Sequence, residues 1–126
     1  MGLIYADIQL SNLLAPEMEP FNTKALVDTG ALHLCIPQHI AVQLKLKQLE
    51  EREVTIADGS KRLVPYVGPV KVTFKNRNCF TGAMVLGEDV LLGAIPMEDM
   101  DLVIQPALLK VTANPQSPNI PMSVAK

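Results

Sequence analysis

Cysteine is scarce: two in 126 residues, too few for the disulfide framework of a small secreted domain. Cys35 and Cys79 sit instead in apolar, strand-like surroundings, where a free thiol packs as a small hydrophobe. Both are expected to be reduced and buried. Neither sign of charge dominates, with 11 basic against 13 acidic residues and a net charge of −2. That balance argues against nucleic acid or an anionic membrane as the main partner. No stretch approaches the roughly 18 unbroken apolar residues of a membrane span. The first ten residues, MGLIYADIQL, carry no basic region and meet Asp7 early. Ala6 stands where an acylation signal after Gly2 wants Ser or Thr. A cytoplasmic, soluble chain is the expectation. His33, Cys35 and His39 match no zinc spacing and lack a fourth ligand, so no metal is expected.

Apolar side chains are abundant: 48% of the residues are hydrophobic and 19% charged. One domain of this length buries a core without staples. The surplus of apolar residues suggests a covered surface, for which a second copy is the simplest partner. Lys71, Lys75 and Arg77 read as a solvated strand face and a turn. Met84, Met97 and Met100 read as core filling rather than a cofactor site.

The pattern is mostly strand. Strands are expected at 3–10, 21–27 and 32–36. Pro37 suits the first turn of a helix over about 37–46 that buries Ile40 and Leu44. A hairpin follows over 54–67, with Asp58-Gly59 at its tip, because glycine takes the positive φ of a tight turn. Gly68-Pro69 punctuates. Val70, Val72 and Phe74 alternate cleanly, 76–78 turn, and 80–86 return. A buried strand at 90–92 runs through Gly93 into a short helix near 96–100, where Glu98, Asp99 and Asp101 are expected to favour the helix N-terminal region. A last strand is expected at 108–111. The domain is taken as 1–113, and 114–126 as a tail whose prolines at 115, 118 and 121 favour extended, flexible geometry.

One stretch carries a chemical question. In ALVDTGA, residues 25–31, a greasy run ends on Asp28. A buried aspartate is costly unless it is paired, hydrogen-bonded or protonated. Asp28 is therefore either a turn-former satisfying nearby amides or a group placed for chemistry. Read in order, ALVDTGA, LCIPQHIAVQL, ADGS and LLGAIPMEDMDLVI resemble the retropepsin-like aspartic proteases, in particular their small single-domain bacterial and archaeal members. The likeness runs from about residue 3 to about residue 115.

The resemblance implies an all-β, closed-barrel protomer with one or two short helices. It makes Asp28 the catalytic carboxylate, with Thr29 bracing the loop and Gly30 allowing close approach of substrate backbone. Leu91, Leu92 and Gly93 would lie beneath the catalytic loop. The hairpin would be a flap, with Ala31 and the tip residues Ile56, Ala57, Asp58, Gly59 and Ser60 meeting the substrate. Side-chain pockets would draw on Leu32, Ile56, Val64 and Ile95. No cofactor is implied. Such chemistry needs two carboxyl groups, one as acid and one as base. Asp-Thr-Gly occurs once, so the second must come from another copy. The implied function is an aspartic endopeptidase that works as a homodimer on an extended polypeptide. The alternative is a dimeric peptide-binding or assembly module on the same fold, without turnover.

Overall fold

The computed structural model describes residues 3–125. Its strands are β1 (Tyr5–Asn12), β2 (Phe21–Val27), β3 (Leu34–Ile36), β4 (Lys47–Thr55), β5 (Lys61–Phe74), β6 (Arg77–Val85), β7 (Val90–Leu92), β8 (Leu102–Gln105) and β9 (Lys110–Ala113). Helix α1 (Gln38–Gln43) follows β3, and α2 (Ala94–Asp99) follows β7. The ring β1-β2-β7-β3-β6-β5 is closed by pairing of β1 with β5, while β4 stands outside it as the edge partner of β5. The β2–β7 and β3–β6 pairs are parallel. A separate small sheet pairs β8 with β9.

Period-two burial builds this barrel. Along β1, Ala6, Ile8 and Leu10 point inward and Tyr5, Asp7 and Gln9 outward. Slipping β1 by one residue would trade Ile8 and Leu10, worth about 1.5–3 kcal/mol each when buried, for Asp7 and Gln9, so the register is well determined. The interior also takes Leu34, Ile36, Val72, Phe74, Cys79, Ala83, Val90 and Leu92. Intervening residues of the same strands, Cys35, Met84 and Leu91, face the other way. They form a second, smaller cluster with Val54, Val64 and Tyr66 of the β4–β5 hairpin. The hairpin thus folds over the outer wall of the barrel. Asn12 ties β1 to the end of α1, donating from Nδ2 to the Leu44 carbonyl at 2.9 Å and accepting from the Leu14 amide at 2.9 Å.

Several expectations need correction. Arg77 is no solvated turn residue: it is fully buried at the start of β6. Its guanidinium donates to the Met100 carbonyl at 2.9 Å and to the Ser117 carbonyl, with the Asp101 carboxylate 4.0 Å away. Inward alternation from Cys79 places it there, and carbonyls from two other segments take its two terminal nitrogens, while its buried Nε has no partner among the described residues. Asp101 lies beyond α2, and Glu98 and Asp99 fall late in that helix, because α2 already begins after Gly93. Asp101 instead accepts from the Asn114 side chain at 3.1 Å, the Met122 amide at 2.9 Å and the Ser117 hydroxyl. Residues 114–122 are therefore bonded to the body rather than loose. Gly68-Pro69 does not end a strand, since β5 runs through it with a register shift between Val67 and Val70. β4 begins at Lys47, paired with Gly68, well before the expected hairpin; its first five residues are all exposed, leaving no alternation to read. Leu108 ends a 3-10 turn and Leu109 is left-handed at φ 51°, so the last strand starts at Lys110.

Candidate active site

The triplet hangs from the end of β2. Val27 is level with Leu92 of the parallel β7, and the Asp28 amide continues that ladder by donating to the Leu92 carbonyl at 3.1 Å. The chain then turns tightly. The Gly30 amide donates to Asp28 Oδ1 at 3.0 Å, and the Ala31 amide to the Asp28 carbonyl at 3.0 Å. Asp28 is thus a turn-former in fact. It is not buried in the protomer: Asp28, Thr29 and Gly30 are all exposed. The desolvation problem raised by the sequence does not arise within one chain.

The loop after the triplet is held by the β7–α2 junction. The Ala94 and Ile95 amides donate to the carbonyls of Ala31 and Leu32, each at 2.9 Å. Gly93 is packed against that same backbone. A Cβ there would stand 2.5 Å from the His33 carbonyl oxygen and 2.6 Å from the Leu32 carbonyl carbon, so only glycine fits. Leu91 faces the outer cluster and Leu92 the barrel interior.

Beside the triplet lies a cavity of about 350 Å³. Gly30, Ala31, Leu32 and His33 form one side, Glu53, Val54 and Thr55 of β4 the other, and Cys35, Met84, Leu86 and Leu91 complete the lining. Burial, and secondly the charge of Asp28, pushes the Cys35 thiol above its ordinary range. Cys79, inside the barrel, is pushed up to about 12 by burial and by Asp99. Both cysteines are buried and free.

Of the residues expected to meet a ligand, Gly30, Ala31 and Leu32 line this cavity. Ile56, Ala57, Asp58, Gly59 and Ser60 form the hairpin tip and do not. The Ile56 amide donates to the Ser60 carbonyl at 2.9 Å, and the Gly59 amide to the Ile56 carbonyl at 2.8 Å, with Gly59 at φ 87°. The Ser60 hydroxyl and amide donate to Asp58, at 2.6 and 2.8 Å, and hold its carboxyl below the usual range. Val64 is 1% exposed and packs in the outer cluster, and neither it nor Ile95 lines this cavity. The sequence reading missed Val54, Met84 and Leu86. Their alternation in strands was visible, but the face covered by the hairpin was not. No group of three or more metal-ligating side chains occurs among the described residues.

Compared with known proteins, the chain matches no family model and no curated protein. It is similar in structure to the retroviral protease-like domain of Ddi1 from Leishmania major, with 15% identity and a TM-score of 0.62, covering 98% of this chain and 96% of that one. It is also similar to the protease of simian foamy virus (mac), with 14% identity and a TM-score of 0.50, over 74% of this chain and 90% of that one. At these identities the likeness is one of fold. The architecture is a retropepsin-like closed β-barrel.

Proposed function

We propose that this protein is an aspartic endopeptidase whose active site is completed by a second copy of the chain. The observation that carries the reading is the placement of its single Asp-Thr-Gly: exposed at the end of β2, next to an apolar cavity shared with β4, on a retropepsin-like barrel. An exposed Asp28 on each protomer is available to meet its counterpart across a two-fold axis.

Two carboxyl groups about 3 Å apart do not both ionise, so the pair holds one proton. The ionised member takes a proton from water as the oxygen attacks the peptide carbonyl carbon. The protonated member donates to the carbonyl oxygen, giving a tetrahedral diol. Collapse of the diol breaks the C–N bond and the amine leaves with a proton from the pair. Thr29 braces the two loops and Gly30 admits the substrate backbone. The polypeptide lies extended between the loops and hairpins, bound through its main chain. Two free, buried thiols suit a reducing compartment such as the cytoplasm.

The test is mass spectrometry of an unfolded peptide mixture incubated with the wild type and Asp28→Asn, alongside sedimentation at micromolar concentration. Cleavage by a wild-type dimer, lost in a dimeric Asp28→Asn that still binds peptide, is the expected result. Cleavage that survives Asp28→Asn, or a strictly monomeric protein that cleaves, overturns the site assignment. Binding without cleavage by either protein identifies a peptide-binding module instead.

A further inference from the structure

The β4–β5 hairpin is held to the barrel by the outer cluster and, on the same face, by a stack of side chains centred on Tyr66. The ring of Tyr66 lies against Gly82 of β6 so closely that a Cβ at that position would stand 2.3 and 2.5 Å from ring carbons and 2.6 Å from the hydroxyl oxygen. Arg52 caps the ring, its guanidinium carbon 3.9 Å from the ring centroid. Glu50 in turn holds Arg52, accepting from its Nε at 2.7 Å.

The strand ladders explain why these residues meet. Glu50 is opposite Tyr66 and Arg52 is opposite Val64, so all four share one face of the hairpin. Tyr66 is also level with Met84, two residues from Gly82 on the same face of β6. The stack therefore sits beside the outer cluster, whose members Val54 and Val64 continue the packing toward the tip. On its inner side are Val64, Met84 and Cys35, the last two lining the cavity. Toward the tip, residues 57–63 are all exposed. Between the stack and the tip lie Glu53, Val54 and Thr55, which form the wall of the cavity facing the triplet.

We propose that Tyr66, seated on Gly82 and capped by Arg52, is the positioning residue of the hairpin. The stack sets the angle at which residues 53–63 stand over the barrel, and with it the width of the cavity beside Asp28. A side chain at position 82 displaces the ring from its seat and removes that hold on the hairpin. Loss of Arg52 frees the ring from its outer cap, and a cation on an aromatic face at a partly exposed site is a modest hold, so the hairpin loosens without the barrel unfolding. The consequence for a peptide in the cavity rests on the protease reading. The mechanical role does not.

Hydrogen exchange followed by mass spectrometry on the full chain tests it with Gly82→Ala, Arg52→Gln and Tyr66→Phe. Gly82→Ala and Arg52→Gln should raise exchange of residues 53–63 by about three- to fivefold while β1 and β2 keep their protection. Tyr66→Phe, which keeps the ring, should match the wild type. If Gly82→Ala does not fold, Arg52→Gln decides, since it alters a partly exposed side chain. Unchanged exchange in 53–63, or a rise spread evenly over the barrel, overturns the proposal. With a cleaved peptide, the loosened variants should raise KM more than they alter kcat, and an unchanged KM with faster exchange overturns the link to the cavity. Wild-type protein that cleaves nothing counts against the protease reading alone, because the exchange pattern is read without turnover.

Discussion

The amide of Asp28 donates to the carbonyl of Leu92 at 3.1 Å, so the one Asp-Thr-Gly of this chain is suspended from the strand that the sequence places some sixty residues later. The triplet's position is therefore a property of two segments, and disturbing the distant one should move it.

Gly93→Ala is the sharpest way to do so. The new methyl would meet main-chain atoms of Leu32 and His33 at 2.5–2.7 Å, and backbone cannot swing aside as a side chain can. A loss of about 2 kcal/mol or more is expected in urea unfolding. Exchange of the 28–33 amides should rise as well. A variant as stable as the wild type would show that the loop and β7 are not packed as described.

Arg77→Met keeps the volume and removes the charge. It leaves the carbonyls of Met100 and Ser117 without their donor, at a cost of about 2–3 kcal/mol. Limited proteolysis should then cut first within 114–122, the segment that has lost one of its anchors. Cutting confined to the β4–β5 tip would contradict this.

Acid should release the same segment. Bonds from the Ser117 hydroxyl, the Met122 amide and the Asn114 side chain, with Arg77 nearby, hold the Asp101 carboxyl below its usual range. Folding thus favours the ionised form. Its stabilisation is complete above the unfolded value near 3.8 and is lost as pH falls through the lower folded value. Asp101→Asn should be less stable at pH 7 and show less of the decline below about pH 4. Parallel pH curves for the two proteins would remove Asp101 from this role.

The thiols give the opposite sign. Cys79 is pushed up from 9.0 to about 12, so folding favours its neutral form. That stability is intact below pH 9 and declines as pH rises toward 12, because only the unfolded chain ionises there. At pH 8 both Cys35 and Cys79 should react slowly with a thiol reagent when folded and freely in denaturant. A disulfide between them would count against a reducing compartment.

Much of the architecture was legible in residue order alone. The strand at Val90–Leu92 coincides with its expected bounds and Phe21–Val27 likewise, since apolar runs ending at a turn triplet or a glycine leave little freedom. The Asp58-Gly59 tip follows from local chemistry: one positive φ and an aspartate that bonds two residues ahead. Asp28, Thr29 and Gly30 could be singled out because spacing and residue type are properties of the chain. Arg77 could not. Its burial depends on carbonyls brought by Met100 and Ser117, 23 and 40 residues away, and no local pattern announces that a charged side chain will be met there. β4 was obscured for the converse reason, since a strand outside the barrel needs no apolar face. The lining of the cavity by Val54, Met84 and Leu86 was likewise decided only by closure of the barrel and the fold of the hairpin over its wall. Alternation along a strand separates two faces, but which outer face is covered depends on contacts between segments distant in the chain.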